Sequence, residues 1–303
     1  MSNRPFRFSV QDQTTDLKDW QDLARKVEDL GFSALVMQDH FGAQFAPLPA
    51  LVAAGAVTSR LRLGTLVLDN DFRHPAAVAK EAATVDVLTG GRLELGLGAG
   101  WMATDYSKTG IAYGEPADRF GRLRETVHIV KAFFTEAETV TFKGKHYQVE
   151  GLDASPKTVQ TPPPILIGGR QKQMLQFAAR EANIVSISML DRLAGVQNPP
   201  TYAEKVAWIK EAAGPRYGEI ELHVNASNIA VTDDAQGALA AIAERAKITV
   251  EDALNTPQTH VGSVDAIVER LLMWRETCDV SYFNLQRRFM DQFAPVVAKL
   301  AGK

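Results

Sequence analysis

The chain has 303 residues, 46% of them hydrophobic, with 36 acidic against 33 basic side chains and a net charge of −3. It carries no long run of one charge sign, which argues against a nucleic-acid duplex or an anionic membrane surface as partner. The single cysteine, Cys278, can form no internal disulfide, no apolar run approaches the ~18 residues of a membrane span, and the N-terminal MSNRPFRFSVQD lacks the apolar core of a signal peptide. The expectation is a cytoplasmic protein in a reducing compartment.

Strand-like and helix-like segments alternate along the chain. Residues 6–10 read as a first strand. An amphipathic helix follows over 16–30, where Leu17, Trp20, Leu23, Ala24, Val27 and Leu30 recur at helical spacing and Gly31 ends it. Residues 32–37 form a second strand, 48–58 an alanine-rich helix, 61–68 a third strand, 76–88 its helix and 92–98 a fourth strand. The rhythm then breaks over 101–161, which holds a polar loop, a long helix at about 116–135 and a hairpin around 142–149 with Gly144 at its turn. Strands resume at 164–167, 184–187, 221–224 and 280–285. The helices that follow them read as 171–182, 202–213, 235–247, 264–277 and 289–301. Eight strands each followed by a helix predict a single (β/α)8 TIM barrel domain over 1–303 with an insertion after the fourth strand, at about 101–161. An open dinucleotide-binding sheet would show G-x-G-x-x-G opening a helix. Here Gly96, Gly98 and Gly100 are spaced G-x-G-x-G, and Trp101 stands where a third glycine would be needed.

In such a barrel the ligand site lies at the carboxyl ends of the strands. Asp39 and His40 follow the second strand, where an imidazole can give or take a proton near neutral pH and a carboxylate can accept a ligand hydrogen bond. Asp69, Asn70 and Arg73 stand after the third strand and read as solvated loop residues unless the site recruits them. Gly98 and Trp101 end the fourth, either admitting something flat to the backbone or packing the core. Gly168, Gly169 and Arg170 close the fifth strand, as a phosphate cradle or as a plain βα turn. Ser186, Ser188, Asn225 and Gln286 end later strands and are expected to face the pocket. His74 reads as a helix start, His223 as a strand residue and His260 as a loop residue. With no H-E-x-x-H or Cys/His cluster, no metal site is expected.

Taken together, D-H after the second strand, L-G-T-x-V-L ahead of F-R-H-P-A, G-G-R-L-E-L-G-L-G-A-G-W, and P-P-P-I-L-I-G-G-R resemble the bacterial luciferase-like superfamily. The segment GSVDAIVERLLMWRETCDVSYFNL at 262–285 is similar to that family's last helix and strand. Within it the chain looks most like the branch that uses the deazaflavin coenzyme F-420 (F420). The resemblance implies a commonly dimeric barrel with a non-proline cis peptide ending the third strand, aligned with Leu66–Val67 and supporting the cofactor ring. It implies Asp39 at the polar edge of the deazaflavin, with Asp69 and Gly98 among the cofactor-binding residues. His40 would stand beside the reacting face as proton donor or acceptor, and Gly168, Gly169 and Arg170 would receive the cofactor phosphate. The family's sugar-phosphate dehydrogenases carry a catalytic glutamate where this chain has Trp101, whose aromatic wall suits a flatter, more apolar substrate. The expected activity is hydride transfer between deazaflavin C5 and a small-molecule substrate, favouring reduction of an activated C=C or C=N bond. The alternatives are an FMN-dependent monooxygenase using oxygen and a non-catalytic cofactor-binding barrel.

Overall fold

The structure, a computed structural model, describes residues 4–135, 138–189 and 199–303. In chain order, β1 (Arg7–Gln11), α1 (Leu17–Asp29), β2 (Ala34–Met37) and α2 (Pro47–Gly55) precede β3 (Arg62–Thr65), β4 (Leu68–Asp69), α3 (Pro75–Leu88) and β5 (Leu93–Gly98). Next come α4 (Ala103–Thr109), α5 (Pro116–Thr135), the hairpin β6 (Thr139–Lys143) and β7 (Gln148–Asp153), then β8 (Ile165–Gly169), α6 (Lys172–Glu181), β9 (Ile184–Ile187) and α7 (Tyr202–Ala213). The last elements are β10 (Glu221–Ala226), β11 (Asn228–Val231), α8 (Ala235–Ala246), α9 (Val250–Leu254), β12 (Thr259–Gly262), α10 (Val264–Cys278), β13 (Val280–Gln286) and α11 (Met290–Leu300).

The strands follow one another in the order β3-β2-β1-β13-β10-β9-β8-β5-β4, and a further β3–β5 pairing closes the series. With β3 and β4 counted as one interrupted strand, this is the parallel (β/α)8 barrel expected from the sequence. Every residue of β2, β5 and β9 is buried, as parallel strands covered on both faces require.

Contacts within the chain define two compact units, one of Met1–Asp12, Lys26–Ala34 and Gly169–Lys303, the other of Gln13–Arg25 and Leu35–Gly168. In the first, Phe8 stacks on Phe283 at 6.2 Å between ring centres and meets the edge of Phe293 at 5.8 Å. A smaller cluster of Leu239, Ile242, Ala253 and Val261 lies between α8, α9 and β12. In the second, the buried Asp86 carboxylate of α3 accepts the backbone N–H groups of Val159 and Gln160 at 2.8 and 3.0 Å, which pins the far end of the 101–161 segment. Glu125 of α5 does the same for the hairpin turn, accepting the N–H groups of Lys145, His146 and Tyr147. His74 caps α3, its Nδ1 accepting from the Ala76 N–H, as its place before Pro75 led one to expect.

Four local readings are corrected. The third strand is not continuous, because the Leu66–Val67 peptide is cis and separates β3 from β4. The polar stretch after Trp101 contains α4. Asp69 and Asn70 are buried, at 9% and 1% exposure, rather than solvated. His260 lies in β12, paired in parallel with β11, rather than in a loop; two four-residue strands are too short to show a period. Among the described residues no helix is long and apolar enough to cross a membrane.

Candidate active site

The end of β2 sends its two polar residues to different tasks. Asp39 Oδ2 accepts from Arg73 Nη1 at 2.6 Å and from the Asp69 backbone N–H at 3.1 Å, while Oδ1 accepts from Arg73 Nη2 at 3.2 Å. Its carboxylate is therefore committed to a largely buried forked ion pair that fixes the turn after β4. His40 turns the other way. Its Nδ1 lies 2.7 Å from Oδ2 of Asp105, and the other oxygen of that carboxylate accepts from the Phe41 N–H at 3.3 Å. Asp105 is only 3% exposed. A carboxylate on Nδ1 favours the tautomer with the proton there, leaving Nε2 as the atom that exchanges protons with a ligand. Trp101, 67% exposed, meets the His40 ring edge-on at 5.9 Å. Asp105 was not read from the sequence; its only signal was an acid in the first turn of a helix that itself went unread.

The cis Leu66–Val67 bond lies where the resemblance placed it. Thr65, just before it, donates its hydroxyl to the Gly96 carbonyl at 2.8 Å and accepts the Gly96 N–H at 2.9 Å. This close approach explains the glycine run. A Cβ at Gly96 would sit 2.0 Å from the Thr65 carbonyl oxygen, and one at Gly98 would sit 2.6 Å from Val67 Cγ2. Protein atoms fill the space at Gly98, so that glycine lets the bulge pack against β5. Gly100 has φ +72°, and a Cβ there would overlap the Tyr106 hydroxyl at 1.9 Å.

That hydroxyl lies 2.9 Å from Asp69 Oδ1 and 3.1 Å from Asp71 Oδ2. Arg122 forks onto Asp71 with two bonds of 2.7 Å. Among the described residues Asp69 has no such cation: burial pushes its pKa up to about 6, against weaker opposition from the Asp71 N–H and the Tyr106 hydroxyl, with Asp71 and Asp39 adding to the rise. A carboxyl whose folded value exceeds its unfolded one favours folding below about pH 4, and this advantage is lost as pH rises through about 6. Asp69→Asn keeps the acceptor oxygen without the charge. The variant should match the wild type near pH 4 and exceed it by up to about 3 kcal/mol at pH 8. Urea unfolding at the two pH values checks this, and an equal difference at both would refute it.

Gly168 and Gly169 are the last two residues of β8, partly exposed, with Arg170 next and α6 starting at Lys172. The glycines thus close a strand rather than open the helix. The Gly169 carbonyl accepts the Ser188 N–H at 2.8 Å. Among the expected pocket residues, Ser186 is bonded to His223 at 2.8 Å and Asn225 accepts from Asn284 at 2.8 Å. Among the described residues, no group of three or more His, Cys, Asp or Glu side chains could hold a metal ion.

A parallel barrel with a histidine–carboxylate pair at the end of its second strand and a cis-peptide bulge ending its third defines the class of protein. The family model described as luciferase-like monooxygenase matches residues 3–270, and the chain belongs to that family. An F420-dependent glucose-6-phosphate dehydrogenase of Nakamurella multipartita is 33% identical over 193 residues, 60% of this chain and 56% of that protein. The chain thus spans little more than half the length of that curated relative. Among solved structures, the coenzyme F420-dependent tetrahydromethanopterin reductase of Methanopyrus kandleri superposes with a TM-score of 0.75 at 19% identity, over 97% of both chains. Monooxygenase RslO1 of Streptomyces bottropensis gives 0.74 at 21% identity, over 97% of this chain and 99% of its own. At these identities the two structures speak to the fold alone.

Proposed function

We propose that this chain is an F420-dependent oxidoreductase that transfers a hydride between deazaflavin C5 and a small organic substrate, with reduction of an activated C=C or C=N bond favoured. The observation that carries the reading is the His40–Asp105 pair beside the exposed Trp101 ring. It offers one proton-exchanging nitrogen next to an open aromatic surface at the ligand end of the barrel. The name of the Nakamurella relative supports F420 as the cofactor.

The residues present suit such a cofactor. Among the described residues no donor reaches the buried Asn70 Oδ1, which would accept from an imide N–H of the deazaflavin. Leu66 and Val67 would back the ring, and Gly168, Gly169 and Arg170 would hold the phosphate of the tail. Asp39 acts one step removed, by fixing through Arg73 the turn that carries Asp69 and Asn70. When bound, the cofactor supplies the hydride chemistry. The protein's share is to orient the substrate against Trp101, to pass a proton through His40 Nε2, and to roof the pocket with the 101–161 segment. Trp101 in place of a glutamate points away from sugar-phosphate oxidation. Homodimeric assembly is part of the proposal, and light scattering after size exclusion reads it directly.

The test is a pair of fluorescence titrations of the purified protein with oxidised F420 and with FMN. Selective F420 binding is the expected result. Preference for FMN would move the chain to the oxygen-using monooxygenases, with oxygen uptake as the following assay. Failure of both cofactors to bind would leave the barrel without its proposed redox role.

A further inference from the structure

Three barrel strands bring an unusual row of amides together. Ser9 of β1 and Asn225 of β10 both stand in register with Asn284 of β13. Asn284 is 2% exposed and spends its whole amide locally: Oδ1 accepts from the Ser9 hydroxyl at 2.9 Å, and Nδ2 donates to Gln11 Oε1 at 3.2 Å and to Asn225 Oδ1 at 2.8 Å. A primary amide has two N–H groups, so both are used. The arrangement orients its neighbours as well. Gln11 and Asn225 each have their oxygen end anchored on one nitrogen, which turns both NH2 groups away from Asn284. Among the described residues neither NH2 group donates to another protein group, and Asn225 is exposed while Gln11 is half-buried.

The row nearer the strands' amino ends is closed. Arg7 lies over the Tyr282 ring at 4.3 Å, and His223 is bonded to Ser186. The two free NH2 groups therefore belong to the carboxyl ends of their strands, the ligand-binding end of a (β/α)8 barrel. Burying Asn284 is costly unless every polar atom is satisfied, and an apolar rung would fill the same place. What the amide rung adds is a fixed polarity: two neutral donors presented outward.

We propose that Gln11 and Asn225 form a donor cradle for the carbonyl oxygen of an α,β-unsaturated carbonyl compound, which makes enones the substrate class of this chain. The proposal rests on the hydride-transfer reading above. A hydride from the reduced deazaflavin adds to the β carbon, and the C=C electron pair shifts so that the carbonyl oxygen takes the negative charge of an enolate. A proton passed through His40 Nε2, as in that reading, then adds to the α carbon. The enone is reduced to the saturated ketone and the deazaflavin is oxidised. Neutral donors hold the enolate oxygen more tightly than the ketone oxygen, so they lower the barrier as well as bind. A protonated imine would bring N–H groups against N–H groups, and a plain alkene offers no acceptor.

The experiment uses 2-cyclohexen-1-one as probe, with calorimetric binding and F420H2 consumption as separate readouts, on the wild type, Gln11→Leu, Asn225→Leu, the double variant and Asn225→Asp. Each leucine variant should lower kcat/KM by about tenfold and the pair by about 10²–10³, with F420 affinity unchanged. Asn225→Asp, which sets a carboxylate against the developing charge, should be slower than Asn225→Leu. Unchanged binding and turnover in the double variant would overturn the proposal, as would a wild type that reduces a cyclic imine and leaves the enone untouched. If F420 itself fails to bind, the functional reading falls. Calorimetric binding of the enone, lost in the leucine variants, would still uphold the cradle.

Discussion

His40→Ala should slow turnover by about 10²–10⁴-fold, the usual worth of a positioned general acid or base, while the dissociation constant for F420 changes little. The asymmetry follows from the geometry. The side-chain hydrogen bond of His40 goes to Asp105 and its ring contact to Trp101, neither of which belongs to the bulge or the glycines at 96 and 98, so removing the ring takes away a proton-exchanging nitrogen while leaving both in place. Asp105→Asn should cost about 10²-fold for a different reason. Asparagine can turn its NH2 toward Nδ1, which moves the single imidazole proton to Nε2 and removes the carboxylate that supports the ring as it takes up a proton and passes it on. Because Asp105 acts through His40, activity alone is an insufficient readout. Nitrogen chemical shifts of a histidine-labelled sample should show His40 protonated on Nδ1 in the wild type and on Nε2 in Asp105→Asn. Asp105→Glu, which keeps a carboxylate on the same helix, should recover part of the rate. A His40→Ala protein that loses F420 binding yet keeps its turnover at saturation would end the assignment.

The barrel was legible because its strands are buried on both faces and each is followed by a helical pattern, so length and order sufficed. His40 was legible because D-H directly follows an apolar strand. Asp105 was not, since it lies 65 residues away on a helix of seven residues whose polar sequence has no apolar stripe. The break inside 61–68 was invisible to composition for a related reason: a cis bond changes the path of the chain without changing its hydrophobicity. Only the family resemblance singled out Leu66–Val67. The glycines of 96–100 illustrate the opposite difficulty. From sequence they leave room for a ligand or for protein, and at Gly96 and Gly98 the room is taken by Thr65 and Val67. The pairing of Asp39 with Arg73, 34 residues on, has no signal in the sequence. The forked ion pair originates in Arg73, the last residue of N-D-F-R after β4.

The second large effect concerns acid. His260 is fully buried, edge-on to Phe283 at 5.3 Å, with the Phe293 ring 6.1 Å away. Burial pushes its pKa down to about 3, helped by the Arg270 guanidinium and weakly opposed by the Pro257 backbone. The unfolded chain binds a proton at His260 near pH 6.5, whereas the folded chain refuses it until about pH 3. A histidine depressed in this way contributes stability that is fully present above pH 6.5 and drains away as pH falls toward 3. The whole span corresponds to about 5 kcal/mol, of which about 3 kcal/mol is gone by pH 4. That is a large share of the 5–15 kcal/mol typical of a domain, so the protein should be acid-labile in a region remote in sequence from His40. Two neutral replacements separate this from the titration of the carboxylates: His260→Phe keeps the ring and His260→Gln keeps polarity. Both should start less stable than the wild type at pH 7.5, from altered packing, and both should lose less stability on acidification, so that the curves converge or cross by pH 4. Urea midpoints at four pH values between 7.5 and 4 measure this. Parallel curves for the wild type and both variants would mean that His260 takes up its proton in the folded state with little penalty, and the buried, neutral ring would have to be abandoned.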